Sequence, residues 1–201
     1  KARSLSLTNG AQFTTSTSGQ GNAGNVEIDV SDAVNFVGVS EVNPNFRSGI
    51  FSTVEATGKG RGGDVNLSAG SLSIIDGAQV NANSGGEGDA GNIAINVKND
   101  TNLDGTGPLF GGGIFSNLEG GVGKGGNVSV TTGSLSLKNG ANISASTFSQ
   151  GDAGSVTLDV RDLLSIDGTS NRGFSSGVFS AVQQQAVGNG GNVNVAAGSI
   201  S

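Results

Sequence analysis

The chain has 201 residues and a formal net charge of −6 at pH 7, and 37 of its residues are glycine while only 2 are proline. It lacks Cys, His, Met, Trp and Tyr, which excludes disulfides, thiolate nucleophiles, zinc–thiolate sites and the commonest general base. The acidic balance without a basic patch argues against a nucleic-acid partner, and no apolar run reaches the roughly 18 residues of a membrane helix.

Two sequence phrases recur along the whole chain. A phrase of the form Ser-Leu-Ser-Leu/Ile-x-Asn/Asp-Gly-Ala occupies residues 4–11, 71–78 and 134–141, and Ser199 begins a further copy. A second phrase, Gly-Ile/Val-Phe-Ser, occupies residues 49–52, 113–116 and 177–180. These regular copies predict a solenoid rather than a β-sandwich, because a sandwich has no reason to repeat its sequence.

Alternating apolar strands begin directly after a glycine at six places. The six starts are Asn25, Asp64, Asn92, Asn127, Ser155 and Asn192. They are separated by 39, 28, 35, 28 and 37 residues, so long and short repeats alternate. Helix is a poor alternative, because glycines interrupt the chain about every dozen residues and no i, i+3, i+4, i+7 stripe exists.

Each short repeat is predicted to form one coil of three strands. In residues 64–91, period-two alternation directs seven side chains inward: Val65, Leu67, Leu72, Ile74, Ala78, Val80 and Ala82. Asp76-Gly77 is the predicted turn between the second and third strands. We therefore predict an all-β parallel β-helix of about six to seven coils, which runs through residues 1–201 as a single segment.

The long repeats are predicted to carry insertion loops at residues 39–48, 106–112 and 169–176. The three loop sequences do not match one another, and all three loops are expected to leave the same corner of the solenoid. They should therefore form a row along one edge. Each contains one phenylalanine, Phe46, Phe110 or Phe174, which we consider as contact points on this edge.

Three further phenylalanines, Phe51, Phe115 and Phe179, belong to the Gly-Ile/Val-Phe-Ser phrase. Counted back from the ends of the coils they align with inward residues of the short repeats, and we predict that they point into the core. In the alternative they point outward beneath the insertion loops, because Ile50, Ser52 and Val54 alternate in the opposite phase.

The position two residues before the last glycine of each coil alternates in charge along the stack. Arg61, Asp89, Lys124 and Asp152 occupy four successive copies of this position. Neighbouring coils would bring them into one column with a spacing of about 4.8 Å. We hypothesise an ion ladder whose benefit is the register of the coils, since exposed ion pairs contribute only about 0–1 kcal/mol.

Catalytic and metal-binding chemistry is weakly represented. The closest acidic pairs are Asp100 with Asp104 and Asp162 with Asp167, and Asp104 and Asp167 stand where turn residues are expected. The turns at residues 88–91 and 151–154 supply one carboxylate each, and the nonapeptide calcium pattern is missing. We predict no enzyme activity, no catalytic residue, no metal and no cofactor.

These phrases resemble the haemagglutinin-type repeats of the filamentous-haemagglutinin family, whose members are large exoproteins secreted by the two-partner route. The matching features are Gly-Asn-Val/Ile-x-Ile/Leu-x-Val starts, Ser-Leu-x-Leu-x-Asn/Asp-Gly-Ala centres and Gly-x-Gly-Asp/Asn-Ala-Gly turns, spread over essentially the whole chain. The Gly-Ile-Phe-Ser variant is especially similar to cyanobacterial members. The resemblance implies a right-handed parallel β-helix, an outer-membrane transporter as partner, and adhesion or surface structure as the role.

We accordingly expect an internal segment of a longer protein that is secreted or held at the bacterial cell surface. The leading interpretation is a structural shaft or adhesin repeat without catalysis. The alternatives are a carbohydrate- or surface-binding β-helix that uses its loop edge, and then a polysaccharide-acting enzyme. Because the isolated piece would expose unpaired strands at both ends, we also predict end-to-end self-association.

Overall fold

A computed structural model gives the fold of residues 1–107 and 111–201. These residues form 17 β-strands and contain no helix. In chain order the strands are Leu5–Thr8 (β1), Gln12–Thr14 (β2), Val26–Asp29 (β3), Ala33–Val37 (β4), Gly49–Phe51 (β5), Val65–Ala69 (β6), Ser71–Ile75 (β7), Gln79–Asn81 (β8), Ile93–Val97 (β9), Asp100–Asp104 (β10), Gly113–Phe115 (β11), Val128–Thr132 (β12), Ser134–Lys138 (β13), Asn142–Ser144 (β14), Val156–Asp167 (β15), Gly177–Phe179 (β16) and Val193–Ile200 (β17).

The strands belong to three sets, and every pairing between named strands is parallel. The first set contains β3, β6, β9, β12 and the first parts of β15 and β17, and the second contains β1, β4, β7, β10, β13 and the second parts of β15 and β17. Because β15 belongs to both, the two sets form one 11-stranded sheet. The third set is a separate six-stranded sheet of β2, β5, β8, β11, β14 and β16.

The strand register confirms the six predicted repeat starts. Val26 pairs with Val65, Val65 with Ile93, and the series continues through Val128 and Val156 to Val193. The residue just before each of these positions is one of the six starts named above. The alternation of long and short repeats is therefore a property of the sheet register, and each strand meets its equivalent in the next repeat.

A ladder of side-chain hydrogen bonds joins the six start residues. The Asn25 Oδ1 atom accepts the backbone N–H of Asp64 at 2.8 Å, and the Asp64 Oδ1 atom accepts the backbone N–H of Asn92 at 2.8 Å. The series continues from Asn92 to Asn127, from Asn127 to Ser155 and from Ser155 to Asn192. A short side chain with an acceptor oxygen can bridge two strands here, which explains why Asn, Asp and Ser occupy this position.

The core consists of apolar columns that run through successive repeats. All seven side chains predicted to point inward between residues 64 and 91 are buried, with at most 2% exposure. In the third set, Ile50, Val80, Ile114 and Ile143 lie in one column and are fully buried. Period-two alternation was therefore a reliable guide to the interior of the short repeats.

The prediction that Phe51, Phe115 and Phe179 point into the core is wrong. Phe51 and Phe115 pair with Asn81 and are half-buried on the outer face, and Phe179 is 40% exposed. The prediction aligned these phenylalanines by counting residues back from the ends of the coils. That alignment failed because the return turns of the long repeats contain additional residues. Val54 and Lys59 are paired with Ser84 and Glu87, so the four residues between the first two match only two residues in the short repeat. Ile50, Ser52 and Val54 are the inward residues instead.

The predicted Asn/Asp-Gly turn lies between the second and third strands of the short repeats. Asn9, Asp76 and Asn139 have φ of 55°, 56° and 53°, and the glycine after each has φ near 82°. The backbone N–H of the following alanine bonds back to the residue before the turn, at 3.0–3.2 Å. Two successive positive φ values define a type I′ turn, which selects Asn or Asp followed by Gly.

The return turns place glycine directly over glycine. A Cβ atom on Gly88 would lie 1.9 Å from the carbonyl oxygen of Gly60, and one on Gly151 would lie 1.5 Å from that of Gly123. Backbones approach so closely at this corner that no side chain fits. The high glycine content therefore reflects close stacking of successive turns rather than disorder.

Candidate functional site

Two of the predicted insertion loops form the same hairpin. In the loop of residues 39–48, Val39 bridges Arg47 in antiparallel fashion, and in the loop of residues 169–176, Thr169 bridges Ser175. The hydroxyl groups of Ser48 and Ser176 close the hairpins by donating to backbone carbonyls at 2.8 and 2.7 Å. The loops are therefore ordered structures built alike, although sequence comparison predicted no match between them.

A shared sequence frame explains this likeness. Each of these two loops begins Gly-x-Ser and ends Phe-x-Ser-Gly. Ser48 Oγ accepts the backbone N–H of Gly10, and Ser176 Oγ accepts that of Gly140, in the turn of the neighbouring short repeat. The sequence contained a signal for this shared frame. In both loops the phenylalanine stands three residues before the glycine that opens the next strand.

The second loop, predicted at residues 106–112, is described only at its two ends. Residues 108–110, and with them Phe110, lie outside the described residues. At the first end, the Asp104 carboxylate accepts hydrogen bonds from the backbone N–H and the hydroxyl of Thr106, at 2.9 and 2.6 Å. Asn139 of the next repeat donates to the same carboxylate at 3.0 and 3.1 Å, so Asp104 anchors the start of the loop.

A groove of about 550 Å³ lies on the outer face of the third strand set, between the first and third loops. We call it the third-strand groove. It runs across β8, β11 and β14, with Arg47 of the first loop at one end and Phe174 of the third loop at the other. Its lining residues are Arg47, Gln79, Asn81, Asn83, Gly111, Phe115, Asn117, Glu119, Asn142, Phe148 and Phe174.

Hydrogen bonds to the backbone fix the amide groups of this groove. The Asn83 Oδ1 atom accepts the N–H of Asn117 at 2.7 Å, and the Asn117 Oδ1 atom accepts the N–H of Ser146 at 2.8 Å. The Asn81 Oδ1 atom accepts the N–H of Asn83 at 2.9 Å. Since each amide oxygen is held in this way, the Nδ2 donors have a defined orientation. Those of Asn81 and Asn117 make no hydrogen bond with the described residues.

Arg47 and Glu119 bring opposite charges to the groove. The Arg47 Nη1 atom donates to Gln79 Oε1 at 3.0 Å, and Asn83 Nδ2 donates to the Glu119 carboxylate. Loss of solvent around the carboxylate raises the pKa of Glu119 even though the residue as a whole is exposed, while the hydrogen bond from Asn83 and the charge of Arg47 oppose the rise. Burial lowers the pKa of Arg47, and Glu119 opposes that shift. The two side chains therefore compensate each other electrostatically.

Several phenylalanines outside the core stand at or near this groove. Phe115 forms part of its floor, and Phe148 and Phe174 are 49% and 45% exposed along its lining. Phe46, predicted as a contact point, is 54% exposed on the first loop. The structure thus brings Phe174 together with Phe115, while Phe46 is not part of the groove lining. Sequence analysis missed Phe148, Asn81, Asn83, Asn117 and Glu119 as residues of the same surface.

The predicted ion-ladder residues lie in one column but do not pair with one another. The residues that follow Arg61, Asp89 and Lys124 donate their backbone N–H groups to the carbonyl oxygens of Asp89, Lys124 and Asp152, respectively. Among the residues that the structure describes, however, Arg61 forms its ion pair with Asp64 at 3.3 Å. The pKa of Asp152 is lowered first by hydrogen bonds from Asn189 and only last by Lys124. Among the described residues no ion pair joins two members of the predicted ladder. Arg61 and Asp152 bond to Asp64 and Asn189 instead.

A different charged column occurs in the second strand set. Asp104 pairs in register with Lys138, and Lys138 with Asp167. Burial acts to raise the pKa of Asp104, but hydrogen bonds from Thr106 and Asn139 and the charge of Lys138 together hold it below its ordinary value. Asp104 accepts the backbone N–H two residues ahead, as a turn residue can, but its pairing with Lys138 places it one position before Asn139 and so outside the turn position predicted for it.

In the described parts of the chain, no three His, Cys, Asp or Glu side chains are grouped so that they could hold a metal ion. The same residues include no helix long and apolar enough to cross a membrane. Comparison of the chain with models of protein families, with curated proteins and with solved structures found no match.

Proposed function

We propose that the chain is part of a right-handed parallel β-helix that serves as a structural shaft in a large secreted bacterial surface protein. The observation that carries this proposal is the continuous parallel pairing within the three strand sets, from β1–β3 to β16 and β17. Every repeat contacts chiefly its neighbours, as in solenoid proteins, so length can grow without any change of architecture. A stiff element that spaces other domains needs only this property, and no catalysis.

The order of the strands supports the finer architecture. The chain passes from the first set to the second and then to the third before it returns to the first, which corresponds to three strands per coil. Crossover connections between parallel strands are right-handed in about 98% of cases. About six to seven coils spaced by about 4.8 Å would form a rod roughly 30 Å long.

Composition supports export through an outer-membrane transporter, as the resemblance to filamentous-haemagglutinin exoproteins implies. The chain has no cysteine, so it can thread through a pore as an extended polypeptide without disulfides that lock its conformation. Its repeats can then form one after another from the first coil to emerge, because each needs only its predecessor as a template. On this proposal the protein is secreted or held at the cell surface.

A binding role for the loop edge is the second candidate. The exposed rings of Phe46 and Phe174 on two like hairpins favour it. Exposed aromatic side chains beside polar groups are typical of recognition surfaces. The two roles are compatible, because a shaft can present a binding surface along its side.

The proposal is tested by an immunoblot of the source organism with an antibody raised against residues 1–201. Cytosol, cell surface and culture medium are analysed separately, and antibody absorbed with the purified chain serves as control. We expect a band far larger than the 19.6 kDa of this chain, at the surface or in the medium. A small band confined to the cytosol would overturn both the shaft and the export route.

A further inference from the structure

We propose that the third-strand groove binds a neutral oligosaccharide. This site goes beyond the shaft, which needs no ligand. It lies on the face of the strands, and the two loops contribute only its ends, through Arg47 and Phe174. The groove volume of about 550 Å³ is within the range of small-molecule sites. It is bordered by two ordered hairpins and floored by paired strands, so it exists before any ligand arrives.

The donors and acceptors of the groove fit hydroxyl groups. Asn117 is only 5% exposed, and its amide is held by Ser144 and Ser146, which bond to its oxygen at 2.8 Å. Its Nδ2 group makes no hydrogen bond with the described residues and is a preorganised donor. The Glu119 carboxylate is an acceptor close to Asn83. Sugar hydroxyls both donate and accept, so they can satisfy a fixed donor and a carboxylate side by side.

The aromatic rings fit the C–H faces of sugar rings. Phe115 is half-buried in the floor, and Phe148 and Phe174 stand beside it. The negative face of an aromatic ring attracts the partly positive hydrogens of such C–H groups. Side-chain amides in fixed orientations, together with solvent-accessible phenyl rings, thus match the mixed polar and apolar surface of a saccharide.

Other classes of ligand fit less well. An added peptide strand needs unpaired backbone groups, but β8, β11 and β14 pair with one another in the middle of the sheet. The described lining has one cationic side chain, Arg47, and one anionic side chain, Glu119, so it carries no excess of either charge to attract a strongly acidic or basic ligand. The strands that follow the first and third loops, β5 and β16, are four strand spacings apart, which is about 19 Å. The groove is therefore long enough for an oligosaccharide.

The test uses the 201-residue chain labelled with ¹⁵N and titrated with three neutral probes: cellohexaose, laminarihexaose and maltohexaose. A sulfated heparin hexasaccharide is the charged comparison. We expect saturable shifts of the groove amides with at least one neutral probe, with a Kd below about 10 mM. We expect Phe115→Ala to weaken binding about tenfold and Glu119→Gln to weaken it severalfold.

The matched control is Phe179→Ala, since Phe179 lies in the same column as Phe115 but outside the groove lining. It should leave binding unchanged, and Glu119→Gln keeps the test valid if Phe115→Ala fails to fold. Absence of binding with all three neutral probes, preference for the heparin probe, or equal loss in Phe179→Ala would each overturn the proposal. None of these outcomes would affect the size and location of the parent protein, on which the shaft depends.

Discussion

Several polar side chains in this protein bond to the backbone of the next repeat. The start-residue ladder through Asn25, Asp64 and Asn92 is one case, and the groove amides of Asn83 and Asn117 form another. In both, an acceptor oxygen meets an N–H group at 2.7–2.8 Å across the stack. Such a bond exists only when two repeats are in register, so these residues specify the register as well as adding stability.

Removal of one ladder residue should destabilise the stack. Asn92 accepts from the backbone of Asn127 and donates to Asp64, so Asn92→Ala loses two hydrogen bonds. We expect the free energy of unfolding to fall by about 1–2 kcal/mol in urea denaturation. Asn66→Ala is the control, because Asn66 is exposed on β6 and makes no side-chain hydrogen bond with the described residues. Equal losses in the two variants would contradict a specific role for the ladder.

The carboxylate of Asp104 predicts a pH-dependent contribution to stability. Its pKa is lower in the folded chain than in the unfolded one. The contribution is therefore complete above the ordinary Asp pKa of about 3.9 and disappears as the pH falls through the folded value. Asp104→Asn should lower the Tm at neutral pH, and the difference from the parent chain should shrink in acid.

Thermal unfolding followed by circular dichroism between about pH 7 and about pH 2.5 measures this difference. Asp100→Asn is the matched control, because Asp100 begins the same strand and its carboxylate forms no hydrogen bond or ion pair in the described part of the chain. A Tm difference for Asp104→Asn that stays constant over the whole pH range would show that ionisation is not its cause.

At the scale of the element, close approach between neighbouring strands determines which residues are allowed. Gly49 and Gly113 open β5 and β11, and Cβ atoms there would lie 1.8 and 2.0 Å from backbone oxygens of Gln79 and Asn142. The glycine of the Gly-Ile/Val-Phe-Ser phrase thus lets the strand after an insertion loop pair with its neighbour. The phrase marks the point where a long repeat rejoins the common register.

We accordingly expect Gly113→Ala to be strongly destabilising, because backbone would have to move to make room for the methyl group. The expected loss is about 2–4 kcal/mol of unfolding free energy, among the large values for point variants. Gly19→Ala is the control, since a Cβ on Gly19 would meet nothing within 4 Å, and it should change stability by no more than about 0.5 kcal/mol. Comparable stability of the two variants would contradict the steric argument.

At the scale of the whole molecule, the two ends differ from the middle. The last strand, β17, pairs on one side with β15, and Val193, Val195 and Ile200 are 44%, 43% and 67% exposed. The equivalent residues inside the stack, such as Val156 and Leu158, are buried. An unpaired parallel edge with exposed apolar side chains is a template for another chain.

The 201-residue chain should therefore associate end to end as its concentration rises, which light scattering measures as an increasing average mass. A variant with Val195→Lys should associate less, because a charge at the edge opposes strand pairing. Lysine on the side of the stack, as in Asn66→Lys on β6, is the control and should have no such effect. A chain that remains monomeric at high concentration would contradict the prediction.

The sequence was sufficient for the repeat starts, the short-repeat core and the Asn/Asp-Gly turns, because each depends on local rules. Period-two alternation separates inside from outside within a strand, and Asn9-Gly10 or Asp76-Gly77 specifies its turn through the backbone torsions it tolerates. The six starts could be aligned because the short repeats differ little from one another.

Only the tertiary structure decided the orientation of Phe51, Phe115 and Phe179, the partners of Arg61 and the third-strand groove. The phenylalanines and the groove depend on how long repeats are aligned with short ones, and the additional residues of the return turns shift that alignment by one or two positions. Arg61 depends on local geometry instead, because it pairs with Asp64 three residues along the chain. A shift by one residue reverses the face of a strand, so Ile114 is buried and Phe115 faces the groove. The groove itself joins residues 32 to 127 positions apart in sequence, from Arg47 to Gln79 and to Phe174, and only stacking of the repeats brings such distant residues together.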